Sequence, residues 1–324
     1  MDETRRSRLV SLFRSHSAPL PPVPPPALPL SLEERLYPGR IPGGSQGDRP
    51  FPAAPIKAVL FDIYGTLFNS AAGDIESSRE GGGGEKTTVL DGLAREYTGT
   101  PCGEELQHYF RSAVENIHRE RARQTPFPEV RVEEIWAAFL KSRTGAGKNP
   151  AFFSGKALQE AAEELALRFE LAVNPVYPMA GAEKTIRELK KAGYILGLIS
   201  NAQFFTPLLF DTFFGAPPEA LGFDPALLIY SFETGEAKPS PRLFSSALDR
   251  LAARGIGAEN CLYVGNDMRN DICGAASAGC QTVLFAGEGR SLRLREGDPG
   301  NILPSALIRR LEDLLLLPAA GQFV

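Results

Sequence analysis

The sequence predicts an α/β fold, a doubly wound parallel sheet with a helical segment inserted into it. Three observations carry that prediction. Apolar runs at 58–62, 195–200, 227–232, 261–265 and 281–285 read as strands, since a parallel sheet covered on both faces needs near-continuous apolar strands. Helical patterns at 182–191, 240–254 and 270–278 alternate with them, as crossovers between parallel strands must. More than a hundred residues separate the first run from the second, far more than one crossover helix requires.

In chain order, residues 1–55 read as a disordered, Pro-rich extension. Pro-Leu-Pro-Pro-Val-Pro-Pro-Pro at 19–26 excludes helix and sheet and favours extended polyproline II. Arg5, Arg6, Arg8 and Arg14, with Leu9, Val10, Leu12 and Phe13 among them, vaguely suggest a targeting helix. Asp2, Glu3 and the lack of an apolar core oppose a secretory signal. Residues 56–72 and 176–324 are expected to form the α/β core, and 73–175 a helical cap with a Gly-rich hinge at Gly81–Gly84. Within the cap, Val89, Leu93 and Tyr97 recur at helical spacing. So do Leu106, Phe110, Val114 and Ile117, then Ile135, Phe139 and Leu140, then Leu158, Ala162, Leu165 and Phe169. Trp136 reads as cap core, and His108, His118, Arg119, Arg121 and Arg123 as solvated helix surface. Ser305 to Leu317 reads as a final helix packed on the sheet.

Four segments carry the chemistry. Ala58-Val-Leu-Phe-Asp62-Ile-Tyr64-Gly65-Thr66 is a buried strand that runs into an acid. Ligands bind beyond the carboxyl ends of such strands, and an aspartate there can attack an electrophile directly. Tyr194-Ile-Leu-Gly-Leu-Ile-Ser200-Asn201 ends a second strand in a hydroxyl and an amide. These residues serve equally as a cap or as a cradle for an anionic oxygen. Lys238 stands before Pro239, a position that disfavours helix and holds its ammonium on a loop. Cys261-Leu-Tyr-Val-Gly265-Asn266-Asp267-Met-Arg-Asn270-Asp271 closes a strand with two carboxylates four apart. Such oxygen donors suit Mg²⁺, and either carboxylate also suits a helix start.

Together and in this order, the four segments resemble the haloacid dehalogenase-like hydrolase superfamily over roughly residues 56 to 290. The resemblance implies a Rossmann-like core with a cap. It implies Asp62 as nucleophile, and Ser200 with the Asn201 N–H and Thr66 as the binding site for the transferring group. It makes Lys238 the neutralising cation. Its Mg²⁺ ligands are Asp62, the main-chain oxygen of Tyr64, Asp267 and Asp271. The substrate so implied is a small phosphorylated metabolite. A divalent cation and a lysine relieve the repulsion between a carboxylate and a phosphate dianion.

Two departures matter. Tyr64 stands where phosphatases of this superfamily usually carry a second Asp as acid and base. A phenol ordinarily titrates near 10, and a missing acid-base group costs about 10²–10⁴-fold. Asp-x-Tyr-Gly-Thr looks like the 2-haloacid dehalogenase branch, where halide leaves without a proton. Asp267 argues the other way, because in a metal-free site it is a desolvated charge without purpose. Asn266 also departs from the phosphatase pattern, which often has Asp after the Gly.

Composition sets the outer bounds. The 324 residues exceed a usual single domain, and 43% apolar content is ordinary for a soluble protein. A net charge of −4 gives no footprint for nucleic acid or anionic membrane. No apolar run approaches the ~18 residues of a membrane span. Cys102, Cys261, Cys273 and Cys280 lack metal-ligand spacing and read as free thiols of a cytoplasmic protein. Three function classes follow: a Mg²⁺-dependent phosphatase or phosphotransferase, which the metal motif favours; a metal-independent 2-haloacid dehalogenase; and a binding or regulatory protein with weakened catalysis.

Overall fold

A computed structural model describes residues 1–17, 23–24, 55–70, 84–143, 155–295 and 302–318. Its strands are β1 (Ala58–Phe61), β2 (Phe68–Ser70), β3 (Val176–Pro178), β4 (Ile195–Ser200), β5 (Phe223–Tyr230), β6 (Cys261–Gly265), β7 (Gln281–Phe285) and β8 (Ala306–Ile308). The chain divides into two compact units. One comprises Met1–Leu20, Ala71–Tyr177 and Ala202–Pro217, and the other Pro21–Ser70, Pro178–Asn201 and Pro218–Val324.

The second unit is the expected α/β core. Six strands stand in the order β5-β4-β1-β6-β7-β8, and every neighbouring pair is parallel. All residues of β1 and β6 are buried, which is why these stretches read as unbroken apolar runs. The helix Pro241–Ala252 starts cleanly because Ser240 caps it through the N–H of Arg242 and Pro241 fits the first turn. Its Leu243, Phe244, Ala247 and Leu251 pack into one cluster with Leu60, Ile199, Leu227 and Tyr263. The chain passes from β1 to β4 and β5 on one side, then returns to β6 on the other. That reversal opens a crevice at the carboxyl end of β1, and Asp62 is the next residue.

Three elements differ from the sequence reading. The expected final helix over 305–317 is a strand, β8, followed by a 3₁₀ helix over Leu311–Leu316. Ala306 and Ile308 are buried beside β7, an alternation too short to stand out in sequence. The third strand is shifted to 223–230, and Ser231–Thr234 turns helical. The helix expected at 270–278 begins as a π-helix over Met268–Cys273 and continues as a short α-turn, Gly274–Ser277.

The first unit is helical, with helices at Gly84–Thr98, Gly103–Arg121, Val132–Arg143, Gly155–Val173 and Leu208–Phe214. Trp136 is at its centre, 1% exposed, stacked on Phe110 at 5.6 Å and close to Phe169 at 4.8 Å. Val89, expected inside, is exposed, while Leu90 and Leu93 face inward. Residues 202–217 were expected in the core segment and group instead with these helices. Gln203 donates to Glu129 and to the carbonyl of Val130, and accepts the N–H of Val132.

The start of the chain departs from the reading of 1–55 as disordered. Glu3–His16 is a helix capped by Asp2. Its Leu9, Val10 and Phe13 form a buried stripe, and Phe13 meets Phe205 edge-on at 6.3 Å. Arg5 donates to the fully buried Glu163, and Arg6 makes a fork onto Asp211. The apolar stripe outweighs the composition of the segment that follows it. Apart from Val23 and Pro24, the Pro-rich run lies outside the described residues, as does the expected Gly-rich hinge up to residue 83.

Candidate active site

Asp62 follows directly on β1, and its N–H donates to the carbonyl of Val264 on β6. The acid is thereby fixed to the sheet and only 5% exposed. Two donors converge on one of its oxygens. Ser200 Oγ, at the end of β4, donates to Asp62 Oδ1 at 2.8 Å, and Lys238 Nζ does so at 2.6 Å. Among the described residues Oδ2 makes no such bond.

Lys238 is shared. Its Nζ also lies 2.6 Å from Asp271 Oδ1 and donates to the hydroxyl of Tyr263 at 3.1 Å. Burial alone would lower the lysine's pKa, but Asp271 and Asp62 together outweigh it and hold the ammonium above its ordinary range. Tyr263 donates to the carbonyl of Ile199 at 2.8 Å. Burial, then Asp271 and Asp62, push its phenol well up, so it stays a neutral donor. The loop bearing the lysine is tied down separately, since Asn201 Oδ1 accepts the Lys238 N–H at 2.6 Å.

Asp271, expected as a metal ligand, is turned inward. Its Oδ2 accepts the N–H groups of Asn266 and Asp267 at 3.0 and 2.9 Å, while Oδ1 faces Lys238 and Tyr263. Burial pushes this carboxyl up to about 7, with Lys238 opposing and Asp62 and Asp267 reinforcing. Both oxygens are spent inside the protein. Gly265 makes this possible, because a Cβ there would sit 2.4 Å from the Asp271 side chain.

Asp267 also has partners. Its Oδ1 caps the π-helix through the N–H groups of Arg269 and Asn270, and Arg295 closes on Oδ2 with Nη2 at 2.6 Å and Nε at 3.1 Å. Thr66, expected to bind substrate, is fully buried and donates to Asn266 Oδ1 at 3.1 Å. The Asn266 amide in turn donates to the carbonyl of Ser291 at 2.6 Å. Gly65 takes a left-handed φ of 84° and leaves room for Asn266, which a Cβ would approach to 2.4 Å. Tyr64 is half-buried in the same turn, bridged through its backbone to Phe68.

Sequence reasoning missed Tyr263, which looked like one more strand residue, and the whole segment 288–295. That segment lies along the fourth motif, with Arg293 N–H donating to Asn266 O and Met268 N–H to Arg293 O. The three arginines of Arg290-Ser-Leu-Arg293-Leu-Arg295 mark the segment in sequence but do not name its partner.

Among the described residues, no three His, Cys, Asp or Glu side chains converge as a metal site. Mg²⁺ needs fewer, commonly one or two carboxylates plus water. The donors present suit it in kind: Asp62 and Asp267 are buried carboxylates, and Asp267 already holds a cation, the partly exposed Arg295 guanidinium. Asp271 is the more deeply buried of the two motif carboxylates and is held by two backbone N–H groups and Lys238.

A buried carboxylate at a sheet switch point, with a hydroxyl and an ammonium on one oxygen, sits where ligands bind in an open α/β sheet. The family model for haloacid dehalogenase-like hydrolases matches residues 56–279, and the chain belongs to that family. Among curated proteins it is similar to the ribulose-1,5-bisphosphate 5-phosphatase of Halopiger xanaduensis, 35% identical over 106 residues, covering 32% of this chain and 40% of that protein. It also resembles the phosphoserine phosphatase of Thermus thermophilus, 32% identical over 167 residues, covering 47% of this chain and 62% of that protein. The chain thus spans less than two thirds of each of these relatives. A solved 2-haloacid dehalogenase from Pseudomonas syringae shares the fold at TM-score 0.53 and 23% identity, over 81% of this chain and 97% of that one. Other curated relatives that the chain matches in part are named as a glyceraldehyde 3-phosphate phosphatase and a phosphoglycolate phosphatase. Among the described residues, no helix is long and apolar enough to cross a membrane, and the four cysteines are free.

Proposed function

We propose that the protein hydrolyses a small phosphorylated metabolite through an aspartyl-phosphate at Asp62. The observation that carries this is the pair of donors on Asp62 Oδ1, Ser200 at 2.8 Å and Lys238 at 2.6 Å. They orient the carboxylate and leave Oδ2 to attack phosphorus. The P–O bond to the leaving group breaks with its electron pair on the leaving oxygen. Water then attacks the same phosphorus, the bond from Asp62 Oδ2 to phosphorus breaks with its electron pair on the carboxylate, and the water's protons leave with the phosphate or pass to solvent and the departed leaving group. Lys238 offsets the charge that builds up, and Asp271 with Tyr263 keeps the ammonium in place.

Asp62, Asp267 and the Tyr64 carbonyl are the groups that would hold Mg²⁺, in place of the set that included Asp271. Bound there, the cation supplies charge neutralisation between nucleophile and phosphate. With Tyr64 where an acid is usual, turnover is slow for alkyl esters. Acyl or aryl phosphates, whose leaving groups depart unprotonated, are the better substrates. Free thiols throughout support a reducing, cytoplasmic setting. One observation favours the second reading, metal-independent dehalogenation: Asp267 is already neutralised by Arg295.

The deciding experiment measures phosphate release from acetyl phosphate and an aryl phosphate, with Mg²⁺ and with excess EDTA, against Asp62→Asn. Mg²⁺-dependent release that vanishes in the variant is expected. No release in either condition overturns the proposal, and chloride release from 2-chloropropionate then separates a dehalogenase from a binding protein.

A further inference from the structure

Arg295 bonds to the fourth motif at Asp267, and the proposed reaction does not use it. It reaches Asp267 from a loop more than twenty residues downstream, with both Nε and Nη2 on the same carboxylate oxygen. Asp267 is 9% exposed at its side chain and Arg295 34%, so the carboxylate is withdrawn from solvent and the guanidinium only partly so. Charge-assisted contacts of this kind are short and roughly twice as strong as neutral ones. The loop is held in register besides. Ser291 and Arg293 bond through their backbones to Asn266 and Met268, and Arg295 takes a left-handed φ of 54°, rare for a side chain other than Gly or Asn. The backbone accepts that conformation where the guanidinium meets Asp267.

From this we infer that Arg295 is a built-in counter-cation that competes with a divalent metal for Asp267, and so sets the metal affinity of the site. The inference rests on the proposed role of Asp267 as a metal donor. A cation arriving at Asp267 must displace a guanidinium from the oxygen it would use. Removing the guanidinium leaves a buried carboxylate that needs a cation, and Mg²⁺ or Mn²⁺ is the available one. Asp267 Oδ1 stays occupied by the helix cap in either case.

The test is direct metal binding, which does not depend on any substrate. Mn²⁺ binding by the full chain is followed through loss of the free-ion paramagnetic signal, with Mg²⁺ competition. Wild type is compared with Arg295→Met, Arg295→Lys, the double variant Arg295→Met/Asp267→Asn, and Arg254→Gln. The last removes the same charge from a surface pair with Asp224. Arg295→Met should tighten Mn²⁺ binding roughly ten- to a hundredfold, the scale of one hydrogen bond to a charged group. Arg295→Lys, which cannot form the fork, should fall between, and Arg254→Gln should match wild type. The double variant should lose the gain. Unchanged or weaker binding in a folded Arg295→Met, or an equal gain in Arg254→Gln, overturns the inference. If Arg295→Met does not fold, Arg295→Lys decides by the same criterion. A gain in Mn²⁺ affinity with no phosphatase activity would leave this inference standing and remove only the catalytic reading.

Discussion

The side-chain oxygen of Asn201 accepts the backbone N–H of Lys238 at 2.6 Å. One strand end thereby holds the loop that delivers the ammonium to the next. The contact gives Asn201 a role its position in sequence did not suggest, since a cradle for the transferring group would use its own backbone N–H. Replacing Asn201 by Ala leaves the Lys238 N–H without its partner, a loss of about 0.5–1.5 kcal/mol. Phosphate release by Asn201→Ala should therefore fall severalfold to about tenfold, while Asn201→Asp, which keeps the acceptor, stays closer to wild type. Equal rates in Ala and wild type would show that the loop holds its place without this bond.

Lys238 lies between two buried carboxylates, 2.6 Å from each. Its loss abandons both. Breaking a buried pair by removing one partner costs about 3–5 kcal/mol, so Lys238→Met should lower unfolding free energy by that order when denatured in EDTA. Adding Asp271→Asn removes one of the orphaned charges and should restore part of the loss. If the double variant is no more stable than the single, the two carboxylates are not coupled through this ammonium.

The first helix makes a claim of the same kind for the other unit. Phe13 is 2% exposed and packs edge-on against Phe205. Truncating a buried Phe typically costs about 3–5 kcal/mol. Phe13→Ala should lower the melting temperature of the full chain, and deletion of residues 1–17 should do so at least as strongly, because it also leaves the fully buried Glu163 without Arg5. Unaltered melting after the deletion would mean that the helix does not contribute to stability.

What was legible in the sequence follows a physical pattern. β1, β4 and β6 were readable because strands buried on both faces carry continuous apolar runs, and Asp62, Ser200 and Lys238 because they stand at the ends of such runs or before a proline. Those three do converge. Asp271 was visible as a residue but not as a role, since nothing in its spacing from Asp267 tells that both its oxygens turn inward to backbone N–H groups and Lys238. Tyr263 was hidden for the opposite reason: an aromatic in a strand is ordinary core, and only the placing of β4 and β6 on either side of β1 puts its hydroxyl under the lysine. Arg295 lay beyond reach, because its partner is fixed by a loop folding back beside residues 266–268, just past β6. The first helix was missed through composition, its stripe of Leu9, Val10 and Phe13 masked by the prolines that follow.

Glu170 supplies a pH test that does not involve the site. In the helix Gly155–Val173 it accepts from the amide of Asn174 at 2.7 Å. Burial pushes its carboxyl from 4.5 up to about 7, against the opposing effect of that hydrogen bond. An acid raised in the folded state binds its proton more tightly there than in the unfolded chain. Its contribution to stability is therefore complete below the unfolded value, declines as pH rises from about 4.5 towards about 7, and is gone above that. Each tenfold difference in proton affinity between the folded and unfolded chain corresponds to about 1.4 kcal/mol. The side chain keeps some solvent contact, so the observed decline should be smaller than the full linkage value. Glu170→Gln preserves a neutral partner for Asn174 and has no proton to lose. Denaturation of wild type and variant at pH 5 and pH 7.5 should show the wild type losing more stability between the two, by about 1 kcal/mol or more. Parallel pH profiles would mean that Glu170 ionises in the folded protein much as it does in water, and that its bond to Asn174 offsets the burial in full.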